Sequence, residues 1–583
     1  MKRSVFLGFL LASLLCAEAS EGTRLARLFS AEWEDRMRED PLEATLVGRS
    51  EYDDRLPDVS VAAMERRNEK NRDWLQQLES IDRLKLSPQE QVSWDLLSFD
   101  LKSRLERHRF GAQKIPFTSD TGFYSSLTHA FTSMPLRSSE EWDRYMARLK
   151  AIPEFLEQNA AWMAEGIATG VTMPRNVMVG VGQILDGLAK GLVDAHPLFS
   201  YCEARLSFLD KSERDRRRQQ CVEIMTDEVL PAFRQLASFV TQEYAPACRE
   251  SIGLSDLPGG REYYRFLVRY FTTLELEPEA VHEFGLQEVA RIRREMEAVM
   301  REIGYENGFA QFLEFLRTDR QFYAVTPHEL LKEASWISKR IDGILPAYFG
   351  LLPRMPYGVE PVPDHLAPNY TTGRYSPGVP GGDRGGFYWV NTYALEKRPL
   401  YALPALTLHE AVPGHHLQIA LAQELEGLPE FRKHFYPNAF GEGWALYAEK
   451  LGKEMGIYRT AYEDFGRLTY EMWRAVRLVV DTGIHYFGWS RERAVALLVE
   501  NSALSRHNIE TEIDRYISWP GQALSYKMGE LTIWKLRKQA EERLGERFDL
   551  RLFHDVILRN GGVTMPVLEQ QVANYITGVR DQN

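Results

Sequence analysis

Apolar residues return at steps of three and four through most of this chain, the period of helices that bury one face. The pattern runs from Ala26 to about Arg109, from Glu140 to Gly166, from Asp215 to Phe239 and from Pro278 to Ile303. The last run begins at Glu277-Pro278, which suits a proline in a first helical turn. A mainly α fold is predicted. One tract departs from the pattern. Between about Leu351 and Pro399, proline, glycine, tyrosine and aspartate take over, and Pro377, Pro380, Gly381, Gly382, Asp383, Gly385 and Gly386 crowd into a loop. It leads into Phe387-Tyr388-Trp389-Val390-Asn391, an aromatic and β-branched run that reads as a short strand. The expected architecture is a two-lobed helical body with a deep cleft and a small β element.

The chain has 583 residues, of which 44% are hydrophobic, enough for a sizeable core. Length alone suggests several units of ~150 residues, but large helical proteins often close around one cleft. Residues 20–583 are therefore read as one body, with one lobe over about 20–350 and another over about 351–583. The formal net charge of −12 argues against nucleic acid and anionic membrane as partners, since both reward excess Lys and Arg.

Residues 1–19 read as a secretory signal: Lys2 and Arg3, an apolar run from Val5 to Leu15, then Ala17-Glu18-Ala19 before Ser20. Cys16 offers lipoprotein anchoring as the alternative, but Leu15 stands where a small residue is expected. The protein is expected in the periplasm or outside the cell, with no stable membrane insertion, because no later stretch reaches the ~18 apolar residues of a span. Cys202, Cys221 and Cys248 allow one disulfide or three buried thiols, and their spacing does not suit a zinc ribbon. The charge run Arg214 to Arg218 reads as a solvated helix face.

The chemistry concentrates in Leu406-Thr407-Leu408-His409-Glu410-Ala411-Val412-Pro413-Gly414-His415-His416-Leu417-Gln418. In H-E-x-x-H two histidines one turn apart bind zinc, and the Glu activates a water. Here Pro413 stands where the second histidine is expected. It cannot donate to the His409 carbonyl, so the helix must bend or bulge there, bringing His415 or His416 beside His409. His415 is the preferred ligand and His416 the alternative, since a regular helix would separate His416 from His409 by about 10.5 Å of rise. A third ligand is expected from Gly441-Glu442-Gly443-Trp444-Ala445-Leu446-Tyr447-Ala448-Glu449. Glu442 is the candidate. Glu449, two turns along the same face, is either an alternative ligand or the group that orients a ligand imidazole. Two histidines and a carboxylate leave a fourth position for water and make Zn2+ the expected cofactor, with Glu410 as general base.

Two further segments complete the expected site. Arg477, Asp481 and His485 recur every four residues, which makes either a salt-bridged face or a stripe in which His485 stabilises an oxyanion and Arg477 holds a substrate carboxylate. The stretch Pro520-Gly521-Gln522-Ala523-Leu524-Ser525-Tyr526-Lys527 breaks and enters a helix carrying Gln522, Tyr526 and Lys527. Tyr526 or Tyr516 could donate to the oxyanion, Gln522 could bind substrate, and Lys527 is a second candidate for a free C-terminus. The strand Phe387 to Asn391, with Tyr388 and Asn391, is expected to be either an edge that pairs with an extended substrate backbone or an ordinary core strand.

The H-E-A-V-P-G-H-H-L-Q, G-E-G-W-A-L-Y-A-E, V-D-T-G-I-H and P-G-Q-A-L-S-Y stretches together resemble the bacterial family catalogued as domain of unknown function 885, over nearly the whole mature chain. More remotely the sequence is similar to helical zinc peptidases that include carboxypeptidase Taq, thimet oligopeptidase and angiotensin-converting enzyme. In those, a Gly-His pair follows the His-Glu pair and a downstream Glu completes the metal site. The resemblance puts His415 in the second ligand position and Glu442 in the third. The two residues added before Gly414 depart from those peptidases. The implied function is an exported zinc metallopeptidase acting on short peptides, as a carboxypeptidase or peptidyl-dipeptidase where a cation selects a free C-terminus. A zinc amidase acting on cell-wall peptides and a non-catalytic metal- or peptide-binding protein are the alternatives.

Overall fold

A computed structural model of the protein describes residues 20–364, 367–378 and 384–581, with 73% helix and 4% strand. The expected signal segment with Cys16, and residues 379–383 of the proline-glycine tract, lie outside the described residues. The mainly α expectation holds, and prolines decide where the helical runs divide. After Glu21–Glu39 come α1 (Val61–Glu79) and α2 (Pro88–Arg109). At the start of α2, Ser87 and Glu90 each accept the other's backbone N–H, a reciprocal cap. The run from Glu140 becomes two helices, Ser139–Lys150 and Ile152–Thr169, with Pro153 in the first turn of the second. The run from Asp215 is interrupted by π turns at Met225–Val229 and Val240–Tyr244. Pro231 and Pro246 explain both, because each ring excludes the carbonyl four residues back, which falls inside the π turn. Arg217 of the charge run turns inward, where it meets Glu213 and Asp143 instead of solvent.

The middle of the chain supplies α3 (Gly260–Thr272) and α4 (Pro278–Ile303), then a three-stranded sheet of β1 (Tyr357–Pro361), β2 (Gly373–Ser376) and β3 (Gly386–Val390). The strand order is β1-β3-β2. β1 runs parallel to β3 with Val359 opposite Tyr388, and β2 runs antiparallel with Tyr375 opposite Tyr388. The strand expected as an edge is thus the centre strand. Both of its sides are paired, so substrate cannot add there.

The remaining helices are α5 (Leu403–Glu410), α6 (His415–Gln423), α7 (Asn438–Glu454), α8 (Ala461–His485), α9 (Arg506–Ser518) and α10 (Ser525–Leu544). α8 is the axis of the body, since every residue from Phe465 to His485 is buried, and α4 lies along it. α7 crosses α10 where Gly443 meets Gly529: a Cβ on Gly443 would come within 2.5 Å of the Gly529 backbone. That approach brings Glu442 and Tyr526 toward one another. One hydrophobic core extends from Leu25 to Ile576, with a smaller cluster around Tyr264, Leu267 and Leu524. Cys202 and Cys221 are buried with their sulfurs 3.3 Å apart, and Cys248 is buried separately. No described helix is long and apolar enough to cross a membrane.

Candidate metal centre

The helix carrying His409 stops altogether at Glu410 instead of bulging, and α6 restarts at His415. Three features hold the gap open. Pro413, joined to Val412 by a cis peptide bond, has no N–H to extend α5. Gly414 lies so near the preceding turn that a Cβ would sit 1.9 Å from the His409 carbonyl oxygen. Trp444 of α7 donates its indole N–H to the Pro413 carbonyl at 2.8 Å, satisfying an acceptor that the broken helix leaves unused.

The break folds the two histidines together. The rings of His409 and His415 stand perpendicular with centroids 4.8 Å apart, and Glu442 reaches both: its Oε2 lies 3.6 Å from His409 Nε2 and 3.4 Å from His415 Nε2. One donor atom from each of the three lies within 4.8 Å of the other two. On the far side of His409, Nδ1 donates to the buried Glu449 carboxylate at 2.7 Å, which leaves Nε2 facing Glu442. Burial opposes charge on His409, but hydrogen bonds to Glu442 and Glu449 raise its pKa to about 10. Burial would also raise the Glu442 carboxyl, yet the two imidazoles hold it well below the usual carboxylate range. Glu410 lies beside the group, where its Oε2 accepts the Tyr375 amide of β2 at 2.8 Å.

His416 is not part of this group. It pairs with the Tyr375 hydroxyl at 2.9 Å and packs on Tyr357, and burial pushes its imidazole down to about 4. Tyr526 stacks toward His409, ring centroids 6.5 Å apart, and the Arg477 guanidinium lies over the Tyr526 ring, 4.3 Å from its centroid.

Other expected site residues have different employment. His485 is fully buried and has no nitrogen left for an oxyanion: Nδ1 accepts from the Leu254 amide at 3.3 Å and Nε2 donates to the Tyr516 carbonyl at 2.9 Å. Arg477 is buried, donating to Tyr516 and Glu512, so it packs on the Tyr526 ring instead of presenting a free charge. Asp481 accepts from the Tyr264 hydroxyl and the Gly521 amide. Tyr388 is buried beneath the sheet. Asn391 donates to the carbonyls of Ala367, Tyr370 and Thr371 and accepts the Tyr393 amide, which uses its amide to close the preceding loop. Gln522 accepts from Arg515 and reaches Asn438 at 3.5 Å. Lys527 is wholly buried among Glu288, Glu471 and Glu530, so it cannot meet a substrate C-terminus.

Two residues near the group escaped the sequence reading. Tyr436 is 39% exposed, and burial of its hydroxyl with the nearby Glu442 carboxylate raises its pKa, which places a neutral phenol at the group. Arg515 of α9 reaches the Tyr526 hydroxyl at 3.5 Å. Tyr436 precedes Pro437 in a short irregular run, and only that proline, marking the start of α7, hinted at a feature there. The free edge of the sheet at Glu410 belongs to β2.

A family model described as a bacterial protein of unknown function, DUF885, matches residues 41–572. The chain belongs to DUF885. Among solved structures, this DUF885 protein is similar to a crystal structure from Colwellia psychrerythraea, provisionally described as a lipoprotein. The two share 27% identity and a TM-score of 0.92 over 96% of this chain and 100% of that one. A protein of unknown function from Shewanella oneidensis, also provisionally described as a lipoprotein, shares the fold. It has 18% identity and a TM-score of 0.73 over 94% of this chain and 99% of that one. No curated protein matches this DUF885 chain.

Proposed function

We propose that this DUF885 protein is an exported zinc peptidase that hydrolyses short peptides, with the two-lobed body of a helical zinc peptidase and its site on the cleft floor. The observation that carries this reading is the convergence of His409, His415 and Glu442 donor atoms within 4.8 Å, beside the Glu410 carboxylate. The donor set fits zinc. His409 Nδ1 is already engaged by Glu449, so Nε2 is the nitrogen offered, and two imidazoles with one carboxylate leave room for a water. Bound zinc would supply Lewis-acid activation of that water and of the peptide carbonyl.

The residues of the chain do the rest. Glu410 takes a proton from the attacking water and passes it to the leaving nitrogen, with the Tyr375 amide holding its carboxylate in place. Tyr526 and Tyr436 are the candidate hydroxyl donors to the developing oxyanion. β2, whose Tyr375 amide points outward to Glu410, replaces β3 as the strand beside an extended substrate. The lipoprotein descriptions of both similar structures support export, with Cys16 as the residue that would carry a lipid.

Elemental analysis of the purified mature protein beside a His409→Ala variant tests the metal site, with about one zinc per chain expected in the first and none in the second. Wild-type protein that stays metal-free after incubation with zinc overturns the reading. Glu410→Gln then tests chemistry: it should abolish peptide hydrolysis and retain zinc. A wild type that binds zinc yet cleaves no member of a peptide library would make the protein a binder.

A further inference from the structure

A cavity of about 860 Å³ opens where α1, α2 and α3 face the start of α7 and the turn after α9. Its volume is in the range that accommodates organic ligands, ~300–1,000 Å³. Two of its walls belong to segments that lead to the proposed site. Asn438, on its wall, begins α7 one turn before Glu442, and Trp519 and Pro520 line it just before Gln522.

Two features of the lining are chemically specific. One wall is aromatic: Phe110 stacks on Tyr263 at 4.8 Å, and Tyr270, Phe271 and Trp519 continue the row. The other feature is a positive charge without a direct ion pair. Of four arginines on the lining, Arg67 and Arg104 are neutralised by Glu39 and by Glu32 and Asp100. Arg249 spends its donors on the carbonyls of Thr172, Ser251 and Gly253. Arg107 rests over the Tyr270 ring and pairs with no carboxylate among the described residues. The only acid on the lining, Asp40, caps a helix. In addition, Asn68 is 5% exposed, and its buried Oδ1 has no partner, an acceptor suited to a peptide N–H.

We propose that this cavity is the substrate's remote subsite, which receives the end of a peptide that carries a bulky apolar side chain and a carboxylate. The apolar side chain lies along the Phe110–Tyr270 wall, the carboxylate meets Arg107 in the field of Arg249, and a backbone N–H reaches Asn68. The carboxylate is either the peptide's own C-terminus or an acidic side chain. This inference rests on the peptidase reading for the direction of the chain, but not for the binding itself.

Binding is measured by calorimetry with the full-length Glu410→Gln protein, alone and with Arg107→Ala added. The probes are Ala-Ala-Gly-Leu-Phe with a free carboxylate, its C-terminal amide, and the amide of Ala-Ala-Gly-Glu-Phe. Arg107 is exposed, so its replacement should not disturb folding. At least one carboxylate-bearing peptide should bind on the order of tenfold tighter than the uncharged amide, and Arg107→Ala should erase that difference. The first and third probes tell a terminal from a side-chain carboxylate. Equal affinity for all three, no binding of any, or a carboxylate preference that survives Arg107→Ala overturns the proposal. The two readings fail separately: wild-type hydrolysis indifferent to carboxylates and to Arg107 removes only the subsite, whereas carboxylate-dependent binding without hydrolysis removes only the peptidase.

Discussion

Replacing Asp481 by asparagine should change how stability depends on pH, in a direction fixed by where that carboxyl sits. It is fully buried on α8, and burial raises its pKa to about 7 despite hydrogen bonds from Tyr264 and the Gly521 amide. In the unfolded chain an aspartate titrates near ~3.9. Between those values the folded protein keeps a proton that the unfolded chain has released, so stability falls as pH rises through the window. The contribution is fully present below about pH 4 and lost above about pH 7. A separation of about three units corresponds to about 4 kcal/mol at ~1.36 kcal/mol per unit. Asparagine has the shape of the protonated acid and does not ionise. The stability of wild type minus that of Asp481→Asn should therefore drop by about 4 kcal/mol from pH 4 to pH 8. Urea unfolding at closely spaced pH values, with zinc absent throughout, measures the difference. Parallel pH curves for the two proteins would refute the reasoning, as would a difference that grows with pH.

Gly414→Ala forces a methyl against the His409 carbonyl, so the break must open; zinc content should fall well below the wild-type value while circular dichroism keeps its helical signature. Full zinc occupancy in that variant would show that the close approach is dispensable. Trp444→Phe leaves the Pro413 carbonyl unpaired in the core and should cost about 1–3 kcal/mol beyond the lost ring volume, read as a lower thermal midpoint. Cys202 and Cys221 should join under oxidised glutathione, lightening the intact mass by two hydrogens and adding about 3 kcal/mol by closing a short loop. Continued labelling of both thiols by a maleimide after unfolding would contradict that.

The helices were legible because their buried faces repeat, and α4 runs over the residues its period marks, Pro278 to Ile303. The convergence of His409, His415 and Glu442 could be anticipated from the position of Pro413 and from resemblance. The manner of the break could not, because it depends on Trp444, far along the chain. β3 was visible through its aromatic run, but its central place depends on β1 and β2, whose Tyr-Gly-Val-Glu-Pro and Gly-Arg-Tyr-Ser sequences are short and carry the glycines and proline of a loop. The stripe of Arg477, Asp481 and His485 misled for a physical reason. A repeat of four puts the three side chains on one face, but α8 is buried on every side, so that face meets other parts of the chain and each residue bonds a separate partner there.

The interruption between α5 and α6 also has an electrical side. An unbroken helix would hold both imidazoles along its length, away from either pole. Here His409 belongs to the last turn of one helix, where unpaired carbonyls concentrate negative potential, and His415 opens the next, where unpaired amides concentrate positive potential. The two imidazoles therefore stand in backbone fields of opposite sign, one at each helix end, before any ligand arrives.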